Sequence, residues 1–315
     1  MDKLLHVSAS PHIRDARTTT GLMGDVLIAL LPAGIAGVYF FGLRALLLIA
    51  VGVASAVLAE FLCQKAARHT VTVGDLSAAV TGLLLAYNVP VNAEWWQVMI
   101  GSVFAIVIVK QLFGGLGFNV VNPALAARAV LQNSWAGSIS IFKIDGVTAA
   151  TPLSQLKSGQ PVDASLLDMF LGKTAGCIGE VSAVLLILGG VYLLCRRVIK
   201  WQVPVAYIGT VAVFTGIYAA ATGKSIDTFV LTHLLGGGLM LGAFFMATDY
   251  ATCPMTGLGQ LIFGVGCGIL TSVIRLWGGY PEGASYSILL MNLATPLIDK
   301  ATRPRIYGSE VKSNA

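Results

Sequence analysis

The chain has 315 residues, of which 56% are hydrophobic and only 11% are charged, and its mean hydropathy is +0.80. A soluble domain carries about 25% charged residues, so this composition excludes a soluble globular protein and indicates an integral membrane protein. The net charge of +5 does not indicate nucleic-acid binding, because the basic residues fall in short segments between apolar runs, where they set membrane orientation.

The first half of the chain contains three apolar runs long enough to cross a bilayer, and these occupy residues 22–42, 44–62 and 95–112. A crossing helix needs about 20 apolar residues. A shorter run from Leu76 to Val89 would cover roughly 21 Å as a helix, because each residue adds 1.5 Å. This run is therefore predicted to be a half-helix or a steeply inserted segment.

A glycine-rich stretch at residues 114–119 separates the fourth apolar segment from the fifth. Asn122 and Pro123 follow it, and a capping Asn with a proline in the first turn is the usual start of a helix. The fifth segment is expected to end near Leu131. The glycine-rich stretch is then non-helical backbone at membrane depth, which is tolerated only where protein buries it.

A long polar connection, residues 132–173, separates the two halves of the chain. Five more apolar segments follow it, at residues 174–195, 203–222, 228–247, 257–277 and 284–299. Five is an odd number, so the two halves enter the membrane in opposite senses, as in an inverted repeat with broken helices. The expected fold is an all-α polytopic membrane protein of about ten transmembrane segments, arranged as a 5+5 inverted repeat.

The distribution of Lys and Arg predicts the orientation of these segments, because cytoplasmic loops carry an excess of both. With the N-terminus inside, the inner residues are Lys3, Arg14, Arg17, Lys65, Arg68, Lys110, Arg196, Arg197, Lys200, Lys300, Arg303, Arg305 and Lys312. The outer residues are Arg44, Lys143, Lys157, Lys173, Lys224 and Arg275. The predicted order is a cytoplasmic N-terminal segment, a first repeat, an outward connection, a second repeat and a cytoplasmic tail (1–21, 22–131, 132–173, 174–299 and 300–315).

The outward connection contains the sequence Asp-Gly-Val-Thr-Ala-Ala-Thr, from Asp145 to Thr151, followed by Pro152. The two alanines before Thr151 are small enough to let a large molecule approach an exposed hydroxyl. Pro152 disfavours a helical conformation at Thr151 and favours an extended backbone there. A threonine presented to another molecule is one interpretation. The alternative is ordinary turn material, for which Asp, Gly, Thr and Pro are common residues.

The stretch resembles the flavinylation motif Asp-x-x-(Ser/Thr)-Gly-Ala-(Ser/Thr), on which a dedicated transferase attaches FMN through a phosphoester. The resemblance implies that Thr151 is the acceptor, and Asp145, Thr148 and Ala150 match the other positions. Ala149 stands where glycine is usual, which is a mild departure from the motif.

The whole chain resembles the family that contains the D subunit of the Rnf complex and, in a longer form, the B subunit of the sodium-pumping NADH:quinone oxidoreductase. The segments that carry the likeness are 24–26, 82–86 with Pro90, 244–249, 303–305 and 307–308. The resemblance implies a non-autonomous subunit of an ion-translocating ferredoxin:NAD oxidoreductase in the bacterial cytoplasmic membrane. This subunit would hold a covalent FMN on the outer side and relay single electrons through it, coupled to transport of Na⁺ or H⁺.

The resemblance also implies partners and leaves one cofactor open. The partners are the other membrane and peripheral subunits of such a complex, among them a second flavinylated subunit and iron–sulphur subunits, together with the flavin transferase and membrane lipid. Whether a non-covalent riboflavin is also bound is open. The alternative function is a secondary transporter or channel subunit that has the same inverted repeat and no redox role.

Acidic residues in or beside apolar segments are costly in lipid and are therefore candidates for an ion path. Asp25 and Asp249 are the two candidates. For Glu60, Asp75 and Glu180 the favoured interpretation is structural, with Glu60 and Asp75 at helix ends in water.

Three further features have competing interpretations. Asn122-Pro123-Ala124 with Arg128 resembles an aquaporin signature, but a single copy without an adjacent arginine favours helix capping. His233 beside a glycine cluster is a candidate proton shuttle, and the favoured interpretation is a packed histidine. The five cysteines show no metal-ligand spacing and are expected to be small packing residues.

Overall fold

The structure of the protein is a computed structural model that describes residues 17–144, 147–160, 162, 164–180 and 182–304. The first half consists of helices α1 (Thr19–Phe41), α2 (Leu43–Ala66), α3 (Ser77–Tyr87), α4 (Trp95–Val103) and α5 (Pro123–Ser134). A short 3₁₀ turn, Val73–Asp75, precedes α3, and a π-helix, Phe104–Gln111, continues α4. Thr18 caps α1 by accepting a hydrogen bond from the Gly21 amide at 3.2 Å.

The polar connection contains short elements packed over one end of the helices. They are α6 (Ala136–Ile139), β1 (Lys143–Ile144), β2 (Val147–Thr148), α7 (Pro152–Lys157) and α8 (Leu166–Leu171). The strands pair antiparallel, with Lys143 opposite Thr148. The expectation of an all-α protein is therefore correct except for this hairpin of two-residue strands.

The second half contains α9 (Ala183–Cys195), α10 (Gln202–Thr222), α11 (Ile226–Leu235), α12 (Leu239–Leu241), α13 (Gly257–Trp277) and α14 (Ala284–Ala301). A π-helix, Gly242–Met246, continues α12. Helix α1 packs against α9, and α5 packs against α14, so each half contributes to a shared interior. Within each half, α2 lies against α3 and α4, and α10 lies against α11 and α13.

Four helices in the described part of the chain are long and apolar enough to cross a membrane, namely α1, α2, α10 and α13. A fifth crossing results if α11 and Leu239–Met246, which meet at a bend of 58°, form one broken span. These helices make the protein a polytopic membrane protein. The ten-segment inverted repeat stays a prediction, because the remaining apolar helices are shorter than a full crossing.

The short length predicted for the third apolar segment is confirmed, since α3 ends at Tyr87 after 11 residues. The sixth predicted span, 174–195, begins too early, because α9 starts only at Ala183. The backbone before α9 bonds across to the end of α3 instead. The Ile178 amide donates to the Val89 carbonyl at 3.1 Å, and the Gly179 amide donates to the Tyr87 carbonyl at 2.9 Å. These bonds satisfy non-helical backbone inside the protein.

Glycine provides the close approaches and sharp bends that this arrangement requires. Helices α2 and α3 cross at Gly52 and Gly82, where a Cβ on Gly52 would lie 2.9 Å from the Gly82 carbonyl oxygen. Such contacts are typical of helix pairs in membranes. The bend between α11 and α12 uses Gly237 and Gly238 at φ values of 67° and 65°, a conformation that favours glycine.

A buried ion pair joins α2 to the π-helix that follows α4. The Lys110 amine donates to Glu60 Oε1 at 2.6 Å and also contacts the Ser77 hydroxyl. The side chains of Lys110 and Glu60 are 2% and 1% exposed. The interpretation of Glu60 as a residue at a helix end in water is therefore wrong. Asp75 is half-buried and accepts the Ser77 hydroxyl at 2.5 Å.

Substituting Lys110→Met should destabilise the protein by about 3–5 kcal/mol, because it leaves the Glu60 carboxylate buried without its cation. The double variant Glu60→Leu/Lys110→Met should recover most of this loss. Arg44→Met is the matched control, because Arg44 and Glu94 form a half-exposed pair, and such a pair contributes about 1 kcal/mol or less. The measurement is the free energy of unfolding of each of the three purified variants in detergent. Equal losses in Lys110→Met and Arg44→Met would contradict a stabilising role for the buried Glu60–Lys110 pair.

Candidate functional site

Thr151 lies at the N-terminus of α7, immediately before Pro152. Its backbone is extended, with φ −65° and ψ 150°, as the following proline predicts. Its hydroxyl oxygen accepts a hydrogen bond from the Ser154 amide at 3.2 Å, so Thr151 is the N-cap of α7. The expectation of an exposed hydroxyl is wrong in this conformation, because Thr151 is 7% exposed. The capping contact and the walls around it cover the side chain.

The other residues of the predicted motif lie just before Thr151. Thr148 is in β2, and Ala150 is exposed. The Ala149 amide donates to the Phe142 carbonyl at 3.1 Å, which extends the hairpin pairing by one residue. Asp145 lies outside the described residues. The hairpin therefore brings the chain back onto the membrane helices at Thr151.

Thr151 lines a cleft of about 530 Å³ between the connection, the end of α5 and the loop that joins α13 to α14. This volume lies within the range of about 300–1,000 Å³ that is usual for sites of small molecules and cofactors. Its apolar wall comes from Ile139, Ile141 and Phe142. A second wall consists of Tyr280 and Tyr286, whose rings stack at 4.9 Å between centroids.

Arg128 is the only cationic side chain that lines this cleft in the described part of the chain. It is 5% exposed and forms an ion pair with Glu282. It also donates to Asn88 Oδ1 at 2.9 Å and to the Ser285 hydroxyl at 2.8 Å. Its Nε is buried without an acceptor among the described residues. The guanidinium therefore connects α5 to the end of α3 and to the start of α14.

A second carboxylate and a thiol lie beside this ion pair. Glu180 Oε1 is 3.8 Å from an Arg128 nitrogen, and Cys177 Sγ is 3.7 Å from the other terminal nitrogen. Ligand atoms of Cys177, Glu180 and Glu282 lie within 4.8 Å of one another, which is close enough to hold a metal ion. Here the Arg128 guanidinium faces both carboxylates and balances one of their two negative charges.

Arg275, in α13, also holds the α13–α14 loop in place. Its guanidinium donates to the backbone carbonyls of Glu282 at 2.7 Å and of Gly236 and Gly237 at 3.1 Å each. It also bonds to the His233 carbonyl. Both ring nitrogens of His233 are buried without partners among the described residues, and the ring packs against Phe229 at 4.7 Å. The packed interpretation of His233 agrees with these contacts.

Lys157 attaches α7 to the α13–α14 loop. Its amine donates to the Tyr280 carbonyl at 3.2 Å and to the Gly278 carbonyl. Burial lowers the pKa of this amine, so the folded chain loses this proton at a lower pH than an unfolded chain would. The Lys157 amine is engaged by loop carbonyls in this conformation.

The two predicted ion-path acids do not lie in this cleft. Asp25 accepts hydrogen bonds from Tyr192 at 3.0 Å and from Arg196 at 3.2 Å. Arg196 follows the last residue of α9, whose 13 residues start beside the connection and span roughly 20 Å. The Asp25 pair is therefore at the far end of α9 from the connection.

Asp249 lines a separate, smaller cavity of about 80 Å³, together with the polar residues Ser77, Lys110, Asn119, Asn122 and Thr248. Its carboxylate accepts the Thr252 hydroxyl at 3.4 Å. The structure thus places the two acids in different environments, because Asp25 pairs with Arg196 and Asp249 borders a cavity.

Asn122 caps α5, because its side-chain oxygen accepts from the Ala124 and Leu125 amides at 3.1 and 3.2 Å. This confirms the capping interpretation over a water pore. Five free cysteines are present among the described residues. Two of them, Cys177 and Cys267, are buried, in agreement with a packing role, whereas Cys195 is exposed.

The charged partner that sequence reasoning missed is Glu282, in a Gly-Gly-Tyr-Pro-Glu-Gly loop. Arg128 inside an apolar segment was the available signal, because an intramembrane arginine requires a compensating group. The sequence could not name that group, since Glu282 is 154 residues away along the chain.

These features define a polytopic helical membrane protein in which re-entrant backbone and a buried ion pair support a cofactor-sized cleft. The model of the NQR2, RnfD, RnfE family matches residues 6–308. The chain belongs to this family.

Relatives match over nearly the whole length. The chain is 52% identical over 319 residues to the D subunit of the Na⁺-translocating ferredoxin:NAD⁺ oxidoreductase complex of Acetobacterium woodii, covering 99% of this chain and 98% of the relative. It is 46% identical over 320 residues to the D subunit of the proton-translocating ferredoxin:NAD⁺ oxidoreductase complex of Clostridium ljungdahlii, covering 96% of each. It is 37% identical over 344 residues to the D subunit of the ion-translocating oxidoreductase complex of Vibrio cholerae, covering 96% of this chain and 99% of the relative.

Lys157→Met should loosen the connection without unfolding the helices, because it removes two hydrogen bonds to loop carbonyls at one edge of the cleft. The expected result is faster proteolysis within residues 132–173 and a change of about 1 kcal/mol or less in overall stability. Limited proteolysis followed by mass spectrometry measures this, with Lys173→Met as the control at an exposed lysine of the same connection. Equal cleavage rates in both variants would show that Lys157 does not hold the connection.

Proposed function

We propose that this chain is the membrane subunit of an ion-translocating ferredoxin:NAD oxidoreductase complex, in which it holds an FMN through a phosphoester to Thr151 and relays single electrons. Whole-length similarity to relatives named as subunits of such complexes supports the first part. The observation that carries the second part is the position of Thr151, which lines a 530 Å³ cleft as the last residue of a stretch that resembles the flavinylation motif.

The residues around Thr151 fit a tethered flavin. The cleft has the volume and the mixed lining of apolar, aromatic and a few polar groups that cofactor sites usually have. A phosphoester at the Thr151 oxygen fixes the position of the cofactor and leaves the ring free to occupy the cleft. The cofactor supplies the one-electron chemistry, while the protein supplies position and electrostatics.

Attachment requires the Thr151 oxygen to form a bond to phosphorus, while the proton leaves the hydroxyl and a leaving group departs from the activated FMN donor. In this conformation the Thr151 oxygen accepts a hydrogen bond from the Ser154 amide, and the residue is buried. The transferase must therefore act before α7 docks, or when the N-terminal turn of α7 opens. Ala149, where the motif has glycine, is partly exposed.

The chain acts with other subunits. The proposed partners are the remaining membrane and peripheral subunits, including a second flavinylated subunit and iron–sulphur subunits, and the flavin transferase that matures the chain. The five cysteines lack the spacing of an iron–sulphur ligand set, so electrons must arrive from another subunit. The proposed location is the bacterial cytoplasmic membrane, with lipid around the exposed apolar helix faces.

The orientation and the repeat form part of the proposal. Lys110 and Arg275 are buried and bind internal partners, so they do not count as loop charges. The remaining Lys and Arg residues still concentrate on the side of both termini, which supports cytoplasmic termini and an extracytoplasmic connection. Matched packing of α2 with α3 and α4, and of α10 with α11 and α13, supports the inverted repeat.

The ion path is proposed to include Asp249, and Asp25 is a weaker candidate. Asp249 borders a cavity beside two π-helices, a form of helix that is frequent at functional sites. Asp25 is already paired with Arg196. Relatives of similar identity are named for Na⁺ and for protons, so overall similarity does not select the ion. The Asp249 cavity is too small for riboflavin in this conformation, and a second flavin stays a prediction.

A transporter or channel without a redox role is the alternative, and the broken helix pair with its 58° bend favours it. Such a protein needs no acceptor threonine in its connection. Covalent flavin on the chain therefore discriminates between the two functions.

Thr151→Ala should abolish covalent FMN, because it removes the acceptor oxygen. Thr151→Ser should retain it, because serine keeps both the hydroxyl and the helix cap, whose loss costs about 1 kcal/mol. The measurement is in-gel flavin fluorescence of the denatured chain after co-expression with the flavin transferase, with Thr222→Ala as a control at an exposed threonine. Covalent flavin that survives in Thr151→Ala would refute the assignment.

Asp249→Asn should reduce cation-coupled transport by the intact complex while covalent FMN stays at the wild-type level. The reason is that the substitution removes a negative charge from the Asp249 cavity and leaves the Thr151 cleft unchanged. Ion uptake into proteoliposomes and in-gel flavin fluorescence give the two readouts. Asp227→Asn, at an exposed acid of α11, is the control. Parallel loss of transport and FMN would instead indicate a folding defect.

A further inference from the structure

We infer that the cleft beside Thr151 binds the isoalloxazine ring itself, and that the Arg128–Glu282 ion pair sets the charge this ring experiences. The inference rests on the proposed attachment of FMN to Thr151. It goes beyond attachment because it assigns a ring site, its aromatic wall and two positioning residues of opposite charge.

The cleft offers a planar ligand one aromatic wall and one aliphatic wall. Tyr280 and Tyr286 stack at an interplanar angle of 24°. Ile139 and Ile141 are among the other residues that line the cleft. Aromatic rings stack favourably on an adjacent π-system, so a flat heterocycle tethered at Thr151 has a defined surface to lie against.

Arg128 is the cation that such a ring would meet. Its two terminal nitrogens bond to Asn88, Ser285 and Glu282, and its Nε has no acceptor in the described part of the chain. A buried donor without an acceptor is uncommon in folded proteins. It is the feature expected if a ligand with acceptor atoms completes the site.

Glu282 is one of two carboxylates beside Arg128, and the other is Glu180. Glu282 lines the same cleft and pairs with Arg128. Reduction places additional electron density on the ring. Arg128 stabilises that density, and Glu282 opposes it, because the interaction between unit charges is strong in a partly buried site.

Opposite substitutions at this pair test the inference. Arg128→Gln should lower the flavin midpoint potential, and Glu282→Gln should raise it, because the first removes the cation and the second removes one of the two carboxylates beside it. At a fixed applied potential the ratio of reduced to oxidised flavin should change roughly tenfold in each direction, the size expected for partly buried charges. A general loss of packing would move both variants in the same direction.

The measurement is spectroelectrochemical titration of the full chain, purified in detergent after co-expression with the flavin transferase. Lys173→Gln is the matched control, since it removes an exposed cation of the same connection that does not line the cleft, and its potential should equal that of the wild type. If Arg128→Gln folds poorly, Arg128→Lys is a second variant that keeps the cation. Its flavin midpoint potential should stay close to that of the wild type. Tyr280→Leu and Tyr286→Leu should increase flavin fluorescence in the folded protein, because they remove the stacking wall.

The outcomes separate this inference from the proposed function. Covalent FMN with equal potentials in Arg128→Gln, Glu282→Gln and the wild type would overturn the ring site and leave attachment at Thr151 intact. Potential shifts of the same sign in both variants would also overturn it. Absence of covalent FMN from the wild-type chain would overturn the proposed function, and the ring site with it.

Discussion

The buried guanidinium of Arg128 is the constraint on which the end of the protein beside the polar connection depends. A charge removed from water must be paired and hydrogen-bonded, or its desolvation costs several kcal/mol. Arg128 meets this requirement with groups from two distant segments, namely Asn88 just after α3, and Glu282 and Ser285 where the α13–α14 loop enters α14. These bonds hold the loop that forms one wall of the cleft, together with the hydrogen bonds from Arg275 and Lys157.

The same rule governs the broken helices. Non-helical backbone at membrane depth must find partners inside the protein. The amides of residues 178 and 179 bond to the carbonyls of residues 89 and 87, and the carbonyls of Gly236 and Gly237 are satisfied by Arg275. Each interruption therefore brings polar groups together in the interior, close to Arg128. Polar groups thus cluster inside this apolar helical protein at the points where its helices are interrupted.

The arrangement separates two kinds of site along the length of α9. Thr151 and its cleft lie where α9 begins, whereas the Asp25–Arg196 pair lies where it ends. Asp249 borders a different cavity, with Lys110 and two π-helices around it. In the proposed function, electrons use the first region and ions use the second.

The sequence by itself determined the membrane class, the short third helix, the cap at Asn122 and the extended backbone at Thr151, because composition, run length and proline chemistry act locally. It also marked Arg128 and Thr151 as residues of interest. Only the tertiary structure decided that Glu60 is buried against Lys110, that α9 starts at Ala183 and that Thr151 is covered. Only the tertiary structure, likewise, showed that Glu282 pairs with Arg128. These outcomes depend on pairing between residues far apart in the chain, and the free energy of burying a charge is determined by partners that local sequence patterns do not specify.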